Sequence, residues 1–218
     1  MVGEIKSGPR VRADLALAAV ALATLSLFVA ITWGVASGQG LAPLDGWANQ
    51  QVTSLRNPSL TWLALAINDL FLPIGVASII LMLGYMVERR RRRLAFIISF
   101  SPLAALLIDY ACDLLVPRAR PENALVQVSG YSYVSGHSLL AAVLFCLLVI
   151  SFKDSINGKI WRYLFIGVNL IMLLFIGFSR VYLNVHWLSD VFASWDLSLL
   201  VISLGFLIMS RIKYFNDT

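Results

Sequence analysis

Charged residues are scarce in this chain. Lys, Arg, Asp and Glu make up only 13% of its 218 residues, whereas 59% are hydrophobic, and the mean hydropathy is +0.81. An ordinary soluble domain needs far more polar surface, so this composition excludes one. A formal charge of +5 is compatible with nucleic-acid binding, but the placement of the positive residues along the chain indicates membrane topology instead, and we predict no nucleic-acid partner.

Cysteine and histidine are rarer still, with two residues of each. Cys112 and Cys146 both fall inside apolar runs and lack the spacing of metal ligands. A buried free thiol behaves as a small hydrophobic side chain, so we assign neither of them a function. The sequence has no internal repeat and no cluster of metal-ligating residues, and we expect no metal and no cofactor.

Long apolar runs are abundant, and they determine the predicted fold. About 20 helical residues span the roughly 30 Å hydrocarbon core of a bilayer, and the first run is longer than a signal-peptide core, so we read it as retained. We predict an all-α integral membrane protein, a six-transmembrane-helix bundle that forms one domain over residues 1–218. A loop over Gly38–Ser59, with room for a short helix on the membrane, follows the first span. The six predicted spans are Asp14–Ala36, Leu60–Val87, Leu94–Val116, His137–Phe152, Tyr163–Phe178 and Val191–Ser210.

The positive charges predict the orientation of these spans. Both termini, the arginine run Arg89–Arg93 and the Lys153–Arg162 connector fall on one side and hold most of the 17 Lys and Arg residues. Loops rich in Lys and Arg stay cytoplasmic, so we predict cytoplasmic termini in the cell (inner) membrane. The other side, facing the periplasm or exterior, holds only Arg56, Arg118, Arg120 and Arg180.

The stretch Ser179–Asp190 reads SRVYLNVHWLSD and carries one of the two histidines. If the segment from His186 onward is helical, His186 and Asp190 lie at i and i+4 on one face. A carboxylate in that position orients an imidazole and stabilises its cation when the other ring nitrogen attacks. A bend between Arg180 and His186 would let a cation and a nucleophile face the same anion.

The loop before the fourth span adds an anion-binding pattern on the same side. It ends at Ser135, Gly136 and His137, where a helix begins. Ser135 is a suitable N-cap, Gly136 allows close approach to the backbone, and helix N-termini bind phosphate. Arg120 and Arg180 add planar forks that match phosphate oxygens. A second histidine, His137, could protonate a leaving oxygen.

These motifs resemble the three signatures of the type 2 phosphatidic acid phosphatase (PAP2) superfamily: RP at 120–121, SGH at 135–137 and SRx5Hx3D at 179–190. The resemblance extends over about residues 60–205. It implies that His186 is the nucleophile that forms a phosphohistidine, that Asp190 orients it, and that His137 is the general acid. It also implies that Arg120, Arg180, Ser135 and Gly136 bind the phosphoryl oxygens without a metal.

One position departs from the family pattern. Seven residues before Arg120 the family has Lys, and this chain has Asp113. An acid repels phosphate, so we consider that Arg118 supplies the missing charge while Asp113 pairs with one of the arginines. Helical spacing would place Asp113 and Arg120 on one face if the helix continued past Pro117.

The resemblance implies a membrane lipid phosphatase, a metal-independent hydrolase whose active site lies at the outer membrane surface. Its partners would be the membrane and a lipid phosphate or diphosphate of the isoprenyl diphosphate, phosphatidylglycerol phosphate, phosphatidic acid or lipid A type, and no obligate protein partner is evident. A lipid phosphotransferase and an inactive lipid-binding or scaffold homologue stay open, the latter because of Asp113. The intramembrane carboxylates Asp69, Asp109 and Asp196 suggest a transporter, but the lack of repeats and the location of the site disfavour one.

Overall fold

The computed structural model describes residues 9–212, most of which form α-helices. Six of the seven helices are long and apolar enough to cross a membrane, the exception being α2. The predicted all-α bundle of six spanning helices is therefore confirmed. Lys6 and Lys213, which contributed to the predicted topology, lie outside the described residues. The helices are α1 (Pro9–Ala36), α2 (Ala42–Ser54), α3 (Pro58–Glu88), α4 (Arg92–Leu115), α5 (Gly136–Phe152), α6 (Lys159–Tyr182) and α7 (Leu188–Arg211).

The structure differs from the sequence prediction mainly at helix ends. α6 continues for about a turn beyond each end of the predicted span Tyr163–Phe178, because a helix keeps its backbone hydrogen bonds where its side chains turn polar. The predicted loop Gly38–Ser59 contains α2, which buries Asp45, Ala48 and Val52 along one face. The spacing of these three residues is that of one helical stripe, so α2 lies against the bundle.

Helix α7 is the central element of the bundle. It packs against α1, α4 and α5, and α2 lies across it. Its buried face is rich in small side chains, which let helix backbones approach closely where a bilayer supplies no hydrophobic driving force between helices. These small buried residues are Ser189, Ala193, Ser194, Ser198 and Gly205.

At Gly177, helix α6 packs tightly against side chains of α7. A Cβ atom added there would lie 2.5 Å from Trp195 Cζ2 and 2.9 Å from Val191 Cγ1. No real carbon pair tolerates such a distance, so any side chain at residue 177 must displace the Trp195 ring. Gly167, on the same helix, has no atom within 4 Å of the corresponding position.

The outer surface of the bundle is apolar. Trp33, Leu81, Leu115 and Ile160 are each more than 70% exposed. In water such a surface would promote aggregation, whereas in a bilayer the same side chains face lipid tails. Apolar residues therefore form both the core of the bundle and its outer surface.

Two glycine substitutions on α6 should change stability in opposite directions. Gly177→Ala forces the Trp195 ring to move, and we expect a loss of about 1–3 kcal/mol in the free energy of unfolding. Gly167→Ala gains helix propensity in open space, and we expect an increase of up to about 1 kcal/mol. The midpoint of thermal denaturation in detergent measures both. Equal midpoints for the two variants would contradict the close packing at Gly177.

Candidate functional site

Five segments meet at one end of the bundle and form the candidate site. They are α2, the irregular loop 116–135, the first turn of α5, the turn 183–187 between α6 and α7, and the first turn of α7. The turn 183–187 reverses the chain at Asn184, whose φ of 54° is in the left-handed region that Asn tolerates. The arginine run Arg89–Arg93 joins α3 to α4 and lies at the opposite end.

His186 lies in this turn and is buried. The helical premise for its pairing with Asp190 is wrong, because α7 begins only at Leu188. His186 Nδ1 donates a hydrogen bond of 2.7 Å to the Ser132 carbonyl, and Asp190 Oδ2 lies 3.8 Å from the same nitrogen. A carbonyl can only accept, so the proton is on Nδ1 and Nε2 keeps its lone pair. Ser132 therefore fixes the tautomer, with Asp190 beside it.

Arg120 faces the unprotonated nitrogen of His186. Its Nη1 lies 3.4 Å from His186 Nε2 and donates a hydrogen bond of 2.7 Å to the Val185 carbonyl. Its Nε and Nη2 donate to the carbonyls of Gly130 and Ser129 at 3.2 and 3.1 Å. Backbone carbonyls thus hold three sides of the guanidinium, and no carboxylate neutralises it at hydrogen-bonding distance among the described residues.

Burial lowers the pKa of both groups. It lowers the pKa of His186, and the Asp190 carboxylate only partly opposes this, while Arg120 and Arg180 add to it. It also lowers the pKa of Arg120, against the opposing effect of Asp113 and other carboxylates. A lowered pKa keeps His186 neutral at neutral pH, which is the form in which imidazole is a nucleophile.

Arg180 and His137 complete the electropositive cluster. Arg180 is 1% exposed, and its Nη1 and Nη2 donate to Asn68 Oδ1 at 2.9 and 3.0 Å. His137 lies in the first turn of α5, with its ring 5.9 Å from that of Phe71. No partner within the described chain reaches His137 Nε2 or Arg180 Nε. Both groups therefore keep unused hydrogen-bonding capacity next to His186.

Ser135 is the N-cap of α5, as predicted. Its Oγ accepts a hydrogen bond from the Ser138 amide at 3.4 Å, and its own amide donates to Ser194 Oγ at 2.9 Å. The sequence predicts that an anion can approach the backbone closely at Gly136. In the structure the Asp109 carboxylate lies there, since a Cβ added at Gly136 would be 2.8 Å from Asp109 Oδ2. Ser135 and Gly136 thus border the site, and their contact with phosphate stays a prediction.

Arg118 does not lie where the sequence suggested. Its Nη2 donates to Asp45 at 2.6 Å, and its Nη1 donates to Ser189 Oγ at 2.8 Å and to Asp190. Each terminal nitrogen of the Arg118 guanidinium is therefore paired with a carboxylate, Nη2 with Asp45 and Nη1 with Asp190. In this structure Arg118 joins α2 to α7, and its contact with phosphate stays a prediction.

Asp113 also differs from its expected arrangement. α4 ends at Leu115, so no helix carries Asp113 and Arg120 on one face. Asp113 Oδ1 instead accepts a hydrogen bond of 2.6 Å from the Tyr131 amide. The turn that this bond holds supplies the two carbonyls, of Ser129 and Gly130, that bind Arg120. No ion pair between Asp113 and an arginine is present in residues 9–212.

The sequence did not reveal the partners that fix the predicted site residues. Ser132 binds His186, Asn68 binds Arg180, and Asp45 binds Arg118. Asn68 had a signal, since it interrupts an apolar span next to Asp69, whereas Asp45 and Ser132 look like ordinary loop residues. No group of three or more His, Cys, Asp or Glu side chains in residues 9–212 is arranged to hold a metal ion.

Comparison with known proteins matches residues 93–214 to the family model of the PAP2 superfamily. The chain is 33% identical over 107 residues to phosphatidylglycerophosphatase B of Bacillus subtilis, covering 47% of this chain and 51% of that protein. It is 26% identical over 117 residues to undecaprenyl-diphosphatase of Sulfolobus acidocaldarius, covering 50% and 52%. It thus spans about half the length of these curated relatives.

Two solved structures share the fold. The crystal structure of a transmembrane PAP2-type phosphatidylglycerolphosphate phosphatase from Bacillus subtilis superposes with a TM-score of 0.74 at 22% identity, covering 89% of this chain and 98% of that one. The crystal structure of Aquifex aeolicus LpxE gives a TM-score of 0.57 at 16% identity, covering 72% and 92%. Because the family model covers more than half of the sequence, including all three motifs around His186, this chain belongs to the PAP2 superfamily.

Proposed function

We propose that this protein is a membrane lipid phosphatase that hydrolyses a lipid phosphate or diphosphate through a phosphohistidine. The observation that carries the proposal is the pairing of His186 Nε2, which carries no proton, with the Arg120 guanidinium, whose Nη1 lies 3.4 Å away and can only donate to it. An anion bound by Arg120 is thereby presented to a neutral nucleophile. The Ser132 carbonyl holds Nδ1–H, so only Nε2 can react.

In the first step, His186 Nε2 attacks phosphorus and the bond from phosphorus to the leaving oxygen breaks. His137 donates a proton to that oxygen. The imidazole becomes a cation as the N–P bond forms, and Asp190, at 3.8 Å from Nδ1, stabilises that charge. Arg120 and Arg180 stabilise the charge on the equatorial phosphoryl oxygens, and no step uses a metal ion.

In the second step, water attacks phosphorus and the N–P bond breaks. His137, now without its proton, takes one from the water, and inorganic phosphate leaves while His186 regains its lone pair. An acceptor lipid in place of water would make the protein a phosphotransferase. The relatives support hydrolysis, since the two curated proteins are a phosphatidylglycerophosphatase and an undecaprenyl-diphosphatase.

An apolar groove beside the site supports a lipid substrate. It has a volume of about 600 Å³ and lies between α3, α5 and α6. Phe71, which lines the groove, also contacts the His137 ring. Ile176 lines it one turn before Arg180. A hydrocarbon tail in this groove would leave its headgroup near His137 and Arg180. The other residues that line it include Leu63, Ile67, Leu70, Ile74, Gly75 and Leu144.

We further propose that the site faces the periplasm or exterior. The arginine run Arg89–Arg93 lies at the other end of the bundle, and such segments stay cytoplasmic. Lipid headgroups of the outer-facing leaflet then reach the site while their tails remain in the bilayer.

The test of the proposed function is phosphate release by the detergent-purified protein, with EDTA present, from a panel of lipid phosphates and diphosphates. His186→Ala removes the nucleophile, and we expect it to lower kcat by roughly a thousandfold or more. A radiolabelled phosphoryl group should remain on the wild-type protein after rapid quenching and be absent from the variant. Release that persists in His186→Ala would contradict the mechanism. Label passing only to added acceptor lipid would identify a phosphotransferase.

Asp113→Ala should weaken substrate binding. The change frees the Tyr131 amide, loosens the turn that holds Arg120, and should raise KM roughly tenfold with a smaller effect on kcat. Glu122→Ala, which removes an exposed acid from the loop 116–135, is the control. Asp113→Lys should not restore a better site, because lysine cannot accept the Tyr131 bond. A large rise in turnover with Asp113→Lys would identify Asp113 as an impairment.

Gly75→Phe should distinguish long from short substrates. A phenyl ring at the groove wall removes room for the tail, and we expect hydrolysis of long-chain phosphatidic acid to fall roughly tenfold, the equivalent of about two buried methylenes. Hydrolysis of a short-chain, water-soluble analogue should stay within about twofold. Gly84→Phe, on the same helix but outside the groove, is the control. Equal losses with both substrates would rule out this groove as the tail site.

A further inference from the structure

The buried face of α2 carries one charged side chain, Asp45, which is 3% exposed. The opposite face presents Leu44 and Trp47, which are exposed as expected for a helix in the membrane interface. A carboxylate on the inner face of such a helix is costly unless it is paired and hydrogen-bonded. Its partners therefore indicate what holds it there.

The hydrogen bonds of the Asp45 carboxylate go to Ser189 and Arg118, which both adjoin Asp190. Asp45 Oδ1 accepts the Ser189 amide at 2.8 Å. Asp45 Oδ2 accepts Ser189 Oγ and Arg118 Nη2, both at 2.6 Å. The Ser189 amide is one of the free N–H groups in the first turn of α7, so Asp45 caps that helix from another element.

The chain of charges continues from Arg118 to the nucleophile. Arg118 Nη1 donates to Asp190 Oδ1, and Asp190 Oδ2 accepts the Trp187 amide at 2.9 Å. The same Oδ2 lies 3.8 Å from His186 Nδ1. Asp45, Arg118, Asp190 and His186 thus form one connected row in which negative and positive charges alternate.

We propose that Asp45 is a positioning residue for the site and acts on His186 through Arg118 and Asp190. Asp45 shares the positive charge of Arg118 with Asp190. Asp190 therefore keeps enough negative charge to stabilise the His186 cation. It also fixes the start of α7 and, with it, the direction of the Asp190 side chain. The inference rests on the proposed function for its kinetic readout but not for its spectroscopic one.

Asp45→Asn removes the charge and keeps the volume and one oxygen acceptor. The charged groups that face His186 are then Asp190 from α7, Arg120 from the loop 116–135 and Arg180 from α6, with the titratable His137 from α5 nearby. Arg118 is then compensated by Asp190 alone. The potential at His186 becomes more positive, so protonating the imidazole requires a lower pH. We expect kcat to fall roughly tenfold or more with KM within about twofold, and the acid limb of the pH profile to move to lower pH.

The chain has only two histidines, which permits a measurement without turnover. Histidine labelled with ¹³C at Cε1 gives two signals, and a His137→Gln variant assigns them. The His186 signal should shift, and its midpoint should fall, in Asp45→Asn but not in Asp154→Asn. Asp154 is an exposed carboxylate at the other end of the bundle and is the matched control.

A residue that only anchors α2 gives a different result. Asp45→Asn would then lower the denaturation midpoint while the folded protein keeps its kcat, its pH profile and its His186 signal, and the proposal would be overturned. If wild-type protein releases no phosphate from any lipid, the proposed function fails, and the His186 signal alone decides on Asp45. A double variant, Asp45→Asn with Arg118→Gln, removes both charges and should lose less than the sum of the single losses.

Discussion

Arg118, held between two buried carboxylates, is the interaction on which the functional end of this molecule depends. It joins α2 and the start of α7, with Asp45 on one side and Asp190 on the other. A charge buried beside a bilayer is tolerated only when opposite charges and hydrogen bonds surround it. The requirement to compensate Arg118 fixes where α2 lies, where α7 begins, and which way Asp190 points.

The same requirement divides the arginines of the site into two kinds. Arg118 is neutralised by carboxylates, whereas Arg120 bonds to three backbone carbonyls and contacts His186 Nε2, and these neutral partners orient a guanidinium without cancelling its charge. Arg180 likewise has an amide partner, Asn68. Two guanidinium groups that have no carboxylate at hydrogen-bonding distance within residues 9–212 therefore act on His186, and burial also lowers the pKa of that imidazole.

The fold was predictable because a bilayer permits few solutions. Apolar runs of about 20 residues must become helices, and their number gives the architecture. The clustering of His186, Asp190 and Arg120 was also predictable, because their segments leave the spans on the same side. The roles of these residues in catalysis remain proposals.

The remaining details were not predictable, because they depend on contacts between distant segments. The sequence does not show which of Arg118 and Arg120 pairs with a carboxylate. Only the structure shows that Asp45 on α2 pairs with Arg118 and not with Arg120. Asp113 occupies the position at which the family has a lysine, so the sequence suggested a lost positive charge. Only the structure shows that its carboxylate accepts a hydrogen bond from the Tyr131 amide. The start of α7 depends on a bond between Asp190 and the Trp187 amide, which the helical spacing from His186 did not reveal.

The bond between Arg180 and Asn68 has a consequence for the limits of the smallest working unit. The family model begins at residue 93, after α3 has ended. Asn68 and Asp45 both precede that boundary, yet they bind Arg180 and Arg118, which follow it. A fragment cut at the family boundary would contain all three signature motifs but would leave the buried Arg180 and the half-buried Arg118 without these partners. The motifs therefore identify the chemistry, while the first half of the chain supplies side chains that hold these two arginines in place.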